Sequence, residues 1–344
     1  MKNIIDGLLN SHEPSVRYKI LVNVLGEKPE SPKIRKLQEE IKSSPRVKLL
    51  LSERRKNGEI PHHPYRKWYG AHWVLATLAD IGYPAGDKSL IPLREQVFSW
   101  LFSGQHQEFT KTINGLTRRC ASQEGNALYS LLTLGLADER TEELANRLVK
   151  WQWPDGGWNC DRDPQASNSS FWESLIPLRA LSLHARLTGN RKSKEAAKRT
   201  SEVFLKRHLF KRQKDNQVMN DDFLKLHYPC YWRYDILFGL KVMAEAGFIK
   251  DKRCQDALDI LESKSLPDGG FPAEGKYYVV SKTAATHRSL VDWGGTNRKR
   301  MNEFVTADAL FVLKKAGRNP LYPPYQGDKE GPSPDKGRSG GVIR

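Results

Sequence analysis

Five acids have neighbours that could give them work. Asp235 follows Tyr231, Trp232 and Tyr234 and precedes Ile236 and Leu237, and Asp308 lies between Phe304 and Leu310. An unpaired carboxylate is costly to bury, so each needs a partner or a wet surface. Burial without a partner would raise the pKa, the condition for a general acid near neutral pH, whereas an arginine partner would keep the group ionised and structural. Glu173, like Glu124 and His72, stands near the start of an apolar stretch, and these groups would meet at one mouth if the stretches converge. Arginines such as Arg17, Arg119 and Arg233 are the partners that would make them structural. Asp161 and Asp163 flank Arg162 in the stretch 151–175, which holds four tryptophans. Paired carboxylates can share a proton, but an intervening arginine favours ionised groups that cap the next turn.

Aromatic residues accompany the acids. Trp68, Trp73, Trp172, Tyr228, Tyr231, Trp232 and Trp293 could line a pocket for an apolar ligand and stabilise a carbocation with their faces; the simpler expectation is that most are core. His227 and Cys230, three apart, with Cys160 and Asp161, make a weak metal set. No HExxH, paired CxxC, GxGxxG or P-loop supports a metal or nucleotide, so no cofactor is expected.

These groups must be held by helices. Six apolar stretches (15–26, 68–82, 124–136, 171–189, 231–247 and 302–317) alternate with amphipathic ones (32–55, broken at Pro45, then 88–102, 139–151, 191–209 and 251–265). The first kind is apolar on more than one face and belongs inside; the second carries a single stripe, as at Leu144, Leu148 and Trp151. Trp73, Asn126, Glu173, Asp235 and Asp308 mark a repeat of 47 to 73 residues. The pattern predicts an all-α array of helical hairpins, closed into a double ring, over 1–317. The segment 318–344 is rich in Pro and Gly and is predicted to be a poorly ordered tail.

Between hairpins the turn Trp153-Pro-Asp-Gly-Gly-Trp158 has a relative in Leu266-Pro-Asp-Gly-Gly-Phe271. Recurrence at one kind of joint argues for a structural part: Pro ends a helix, Gly permits positive φ, and the aromatic plugs the gap. Gln152, Gly156 and Trp158 resemble the Gln-Trp motif of squalene and hopene cyclases, and the repeat resembles the superfamily of terpenoid cyclases and protein prenyltransferases. The resemblance, over Ser15 to Gly317, implies an (α/α)6 toroid whose lumen takes an isoprenoid or other apolar molecule, with cyclase-like acid chemistry as the activity. The chain departs from both mechanisms. Where prenyltransferase β subunits read Asp-x-Cys-Tyr-Ser-Phe-Trp with Asp and Cys on zinc, this chain has Ala166 and Asn168 before Phe171-Trp172, and the Asp-x-Asp-Asp of class II cyclases is missing. The superfamily also has non-enzymatic relatives, and Ser15-Val-Arg-Tyr18 reads like an open helical repeat, so a non-catalytic scaffold is the alternative.

Composition sets the bounds. The 344 residues carry a net charge of +16, with 38% hydrophobic and 28% charged residues, in the range of globular proteins. No apolar run could span a bilayer and the first residues lack a secretory signal, so the expected place is the cytoplasm. Between Arg191 and Lys214 ten Lys and Arg face two Glu, a net +8 that could meet an anionic membrane surface. Without interleaved aromatics, nucleic acid is not an expected partner. The spacing of Cys120, Cys160, Cys230 and Cys254 suggests free thiols.

Overall fold

The computed structural model describes residues 4–318, so the 318–344 tail lies, beyond its first residue, outside the described residues. The described chain is mostly helical. Its helices are α1 (Ile4–Leu9), α2 (Pro14–Tyr18), α3 (Pro32–Ser43), α4 (Pro45–Leu50), α5 (Ala71–Asp80), α6 (Ile91–Leu101), α7 (Gly104–Glu108), α8 (Ala121–Thr133), α9 (Glu139–Trp151), α10 (Phe171–Thr188), α11 (Arg191–Leu205), α12 (Ile236–Ala246), α13 (Gln255–Ser263) and α14 (Glu303–Ala316). None of them is long and apolar enough to cross a membrane.

The two helix types separate as their patterns dictate. α5, α8, α10, α12 and α14 are buried over most of their length, whereas α9 buries only Thr141, Leu144, Ala145, Leu148 and Trp151. Each amphipathic helix packs on the apolar helix before it: α3 on α2, α6 on α5, α9 on α8, α11 on α10 and α13 on α12. The apolar helices pack in succession, α5 on α8, α8 on α10, α10 on α12 and α12 on α14. α14 then packs on Lys19–Val24, the π-helical continuation of α2, so the last apolar helix touches the first.

Local chemistry sets the ends. Asp138 and Thr141 form a capping box on α9, and Gly189, Gly247 and Gly317 end α10, α12 and α14 in the left-handed conformation. The stretch 231–247 corrects the sequence reading. Tyr231 takes a left-handed φ of 48° and the helix begins only at Ile236, with Asp235 as its cap rather than a residue of its interior. Two strands, β1 (Lys111–Ile113) and β2 (Leu116–Arg118), form an antiparallel hairpin that the helical reading did not anticipate. Its turn is Asn114-Gly115, both at positive φ, a legible hairpin signal. A parallel two-stranded pair joins β3 (Val279–Val280) to β4 (Arg288–Ser289).

Candidate functional site

The hairpin is what builds the site. Arg118, at the end of β2, bridges in parallel to Asn159, and the Arg119 N–H donates to the Asn159 carbonyl at 3.2 Å. Trp153 fastens the same loop by donating from Nε1 to the Thr117 carbonyl at 2.7 Å. Two segments 40 residues apart in sequence therefore run side by side, and their next residues, Cys120 and Cys160, become neighbours. Both line a cavity of about 550 Å³ together with Tyr65, Trp100, Phe109 and Arg118.

The cavity is lined by aromatic rings and by the guanidinium groups of Arg118, Arg119 and Arg162. Arg118 is 1% exposed, lies over the Trp153 ring and donates from Nη1 to the Ala166 carbonyl at 2.8 Å. Its Nε and Nη2 have no hydrogen-bond partner, an expensive state for a buried guanidinium. Arg119 is committed instead, to Glu124 at 2.8 Å and to the His106 carbonyl at 2.8 Å. Burial, and then Arg119, push His106 down to about 3, so the ring is neutral over the physiological range. Burial raises the Glu124 carboxyl, a shift that Arg119 partly offsets.

Beside the cavity, Cys120, Cys160 and Glu173 bring two sulfurs and a carboxylate oxygen within 4.8 Å of one another. Cys120 is the residue that caps α8, and Glu173 is the third residue of α10. Glu173 Oε2 accepts from the Ser122 N–H at 3.0 Å, leaving Oε1 to Cys160 Sγ at 3.9 Å. The interaction of the neighbouring thiols lowers the Cys160 pKa and raises that of Cys120; burial raises the Glu173 carboxyl. Sequence reading named Glu173 and Cys160 but not Cys120, because only the bridge between 118 and 159 brings it in.

The other nominated acids lie elsewhere. Asp235 caps α12 through a 2.7 Å bond from the Phe238 N–H and lies 2.6 Å from His227 Nδ1. Asp308 accepts from Lys19 Nζ at 3.0 Å and Lys241 Nζ at 2.8 Å, so its partners are lysines, not the arginine the sequence suggested. The same lysines bond Asp80, which also receives the Tyr228 hydroxyl at 3.1 Å. Asp161 and Asp163 are exposed and accept from the backbone N–H two residues on, the capping that Arg162 between them implied. The weak metal set comes apart: Cys160 joins Cys120, while Cys230 donates to the His227 carbonyl.

Among the nominated ring systems, Trp68, Trp73, Tyr228 and Trp293 are each at most 4% exposed. Trp68 stacks on Tyr231 at 4.1 Å and meets Trp73 edge-on, and Tyr228 stacks on Phe304 at 4.4 Å, so these rings are spent on one another. Trp172 and Trp232 are half-buried and in edge contact at 5.3 Å, with Lys67 over Trp232. His72 approaches the cavity through its contacts with Tyr65 and Trp100. On the basic segment, Arg191, Lys192, Lys194, Lys198 and Arg199 are exposed on α11 while Ser193, Ala196 and Ala197 are buried.

No protein-family model matches the chain, and no curated protein matches it at a significant level.

Proposed function

We propose that the chain is a closed (α/α)6 toroid, similar in plan to the terpenoid cyclases and protein prenyltransferases, that binds a small molecule with an apolar body and an anionic end in the cavity beside β2. The observation that carries this reading is the Arg118 guanidinium, buried at the wall of a cavity of about 550 Å³ with two of its nitrogens unpaired. An anionic group would satisfy them, and Tyr65, Trp100 and Phe109 offer faces to an isoprenoid or other apolar chain. Contact between α14 and the segment after α2 supports closure of the ring over an open array. The space among the apolar helices suits an apolar guest poorly, since Lys19, Asp80, Arg179, Lys241 and Asp308 are joined there in ion pairs. Of the five nominated acids, Glu173 is the one bonded to a thiol that lines the cavity.

The test is a native mass spectrum of protein purified from its own host, followed by thermal shift with a prenyl alcohol and the matching prenyl diphosphate. Retained lipid, or a rise in Tm with the diphosphate that is lost in Arg118→Met, supports the reading. No retained molecule and no shift with either probe would overturn it and leave the non-catalytic scaffold as the better account.

A further inference from the structure

We propose that Cys120, Cys160 and Glu173 form a Zn²⁺ site with its fourth coordination position open to the cavity. The donor set suits zinc: two thiolates and one carboxylate select a thiophilic divalent ion over Mg²⁺ or Ca²⁺. The spacing suits it as well. Bonds of about 2.3 Å to sulfur and about 2.1 Å to oxygen put tetrahedral ligand atoms roughly 3.4–3.8 Å apart, and Cys160 Sγ already lies 3.9 Å from Glu173 Oε1. Three protein ligands with one position free is the pattern of zinc sites that act on a bound molecule. Cys120 and Cys160 line the cavity while Glu173 sits behind them, 9% exposed, so the free position is on the cavity side.

Neighbouring charge and backbone donors surround the three ligands. Cys120 stands at the N-cap position of α8, the positive end of the helix dipole. Lys67 and Arg119 both act electrostatically on Cys120 and Glu173, and would balance the one negative charge left after two thiolates, a carboxylate and a divalent ion are summed. The Ser122 N–H holds the outer oxygen of Glu173 and turns Oε1 toward the sulfurs, as an outer-sphere donor does in metal sites. A disulfide between the same cysteines would remove the Cys160 S–H donor and leave Glu173 Oε1 without it. The site is distinct from Ala166 and Asn168, the positions at which the prenyltransferase pattern would require zinc ligands.

This inference goes beyond the ligand reading and does not rest on it, because metal content can be measured with the cavity empty. Full-length protein purified without chelator and without a polyhistidine tag should contain about one zinc per chain by elemental mass spectrometry. After chelation, titration with CoCl₂ should produce a thiolate-to-cobalt charge-transfer band, and ZnCl₂ should displace it. Cys160→Ser should abolish the band, Glu173→Gln should weaken Co²⁺ binding roughly tenfold or more, and Cys230→Ser should leave both unchanged. Should Cys160→Ser fail to fold, the wild-type protein still decides: zinc must protect Cys120 and Cys160 from alkylation. Absence of metal with no cobalt band, or a Cys120–Cys160 disulfide in protein purified under reducing-agent-free anaerobic conditions, overturns the site. Zinc with neither retained lipid nor a shift with either probe sinks only the ligand reading, and lipid without zinc sinks only this one.

Discussion

His72 is 2% exposed, its two ring nitrogens have no hydrogen-bond partner, and it is surrounded by Tyr65, Trp73 and Trp100 at centroid distances of 5.4, 4.8 and 5.5 Å. Burial pushes its pKa down to about 3. The folded value is therefore below the unfolded one of about 6.5, and as pH falls the unfolded chain takes up a proton that the native state refuses. The associated stability is full above about pH 6.5 and is lost toward pH 3, at roughly 1.4 kcal/mol per pH unit. His106 titrates in the same window. His72→Phe removes one of the two groups and two unpaired polar atoms, so Tm should depend less steeply on pH between about pH 7 and pH 5. An unchanged slope in differential scanning calorimetry would show that His72 does not carry the acid sensitivity. The place of His72 at the start of an apolar helix was legible in the sequence, because the apolar run marks where α5 lies. The partnership of Cys120 with Cys160 was not, since no helical period relates residues in a β-hairpin and a loop.

Helix boundaries followed the sequence wherever a cap or a stripe marked them, and failed where an irregular residue intervened. α9 was predicted at 139–151 and runs Glu139–Trp151, because Asp138 caps it and its apolar residues form one stripe. Asp235 and Asn302 do the same for α12 and α14, yet the aromatic run before Asp235 invited an earlier start that the left-handed Tyr231 forbids. The joint after α9 is the best-defined element connection. Gln152 Nε2 donates to the Gly156 carbonyl at 2.8 Å and, across to α11, to the Ala196 carbonyl and Thr200 Oγ1 at 2.9 Å each. Trp158 is fully buried and donates to the Leu148 carbonyl, so the turn is stitched to both neighbouring helices. Gly156 has a φ of 105°, and a Cβ there would collide with the Arg199 carbonyl. Gly156→Val should therefore cost roughly 1–3 kcal/mol in urea unfolding, and Gln152→Ala about 1–3 kcal/mol by leaving the buried Gly156 carbonyl without its donor. Wild-type midpoints for both variants would refute the structural role of the motif.

At the scale of the whole molecule, the pairing of charges 289 residues apart decides whether the hairpins act as one body. Lys19 follows α2, Asp80 ends α5, Arg179 is in α10, Lys241 in α12 and Asp308 in α14; the network thus ties the first apolar helix to the last. Nothing in the periodicity of either segment could reveal it, because each of these residues reads locally as an isolated charge in an apolar helix. Burial alone would raise the Asp80 carboxyl, but Lys19, Lys241 and Arg179 hold it well below the usual range. A carboxylate depressed in the fold contributes stability above its unfolded pKa of about 3.9 and loses it as pH falls further. Asp308→Asn leaves two buried lysines to share Asp80, and removing one partner of a buried pair costs about 3–5 kcal/mol. Replacing the pair by apolar residues, as in Lys19→Met with Asp308→Leu, should cost less than Asp308→Asn alone. The distribution of the loss distinguishes a ring from an open array. In a ring, weakening the seam between α14 and the segment after α2 lowers a single cooperative transition, and hydrogen exchange rises in α5, α8 and α10 as much as in α14. In an open array each repeat leans only on its neighbours, so exchange would rise in α14 and α12 while the middle hairpins kept their protection. Exchange confined in that way in Asp308→Asn would rule out closure.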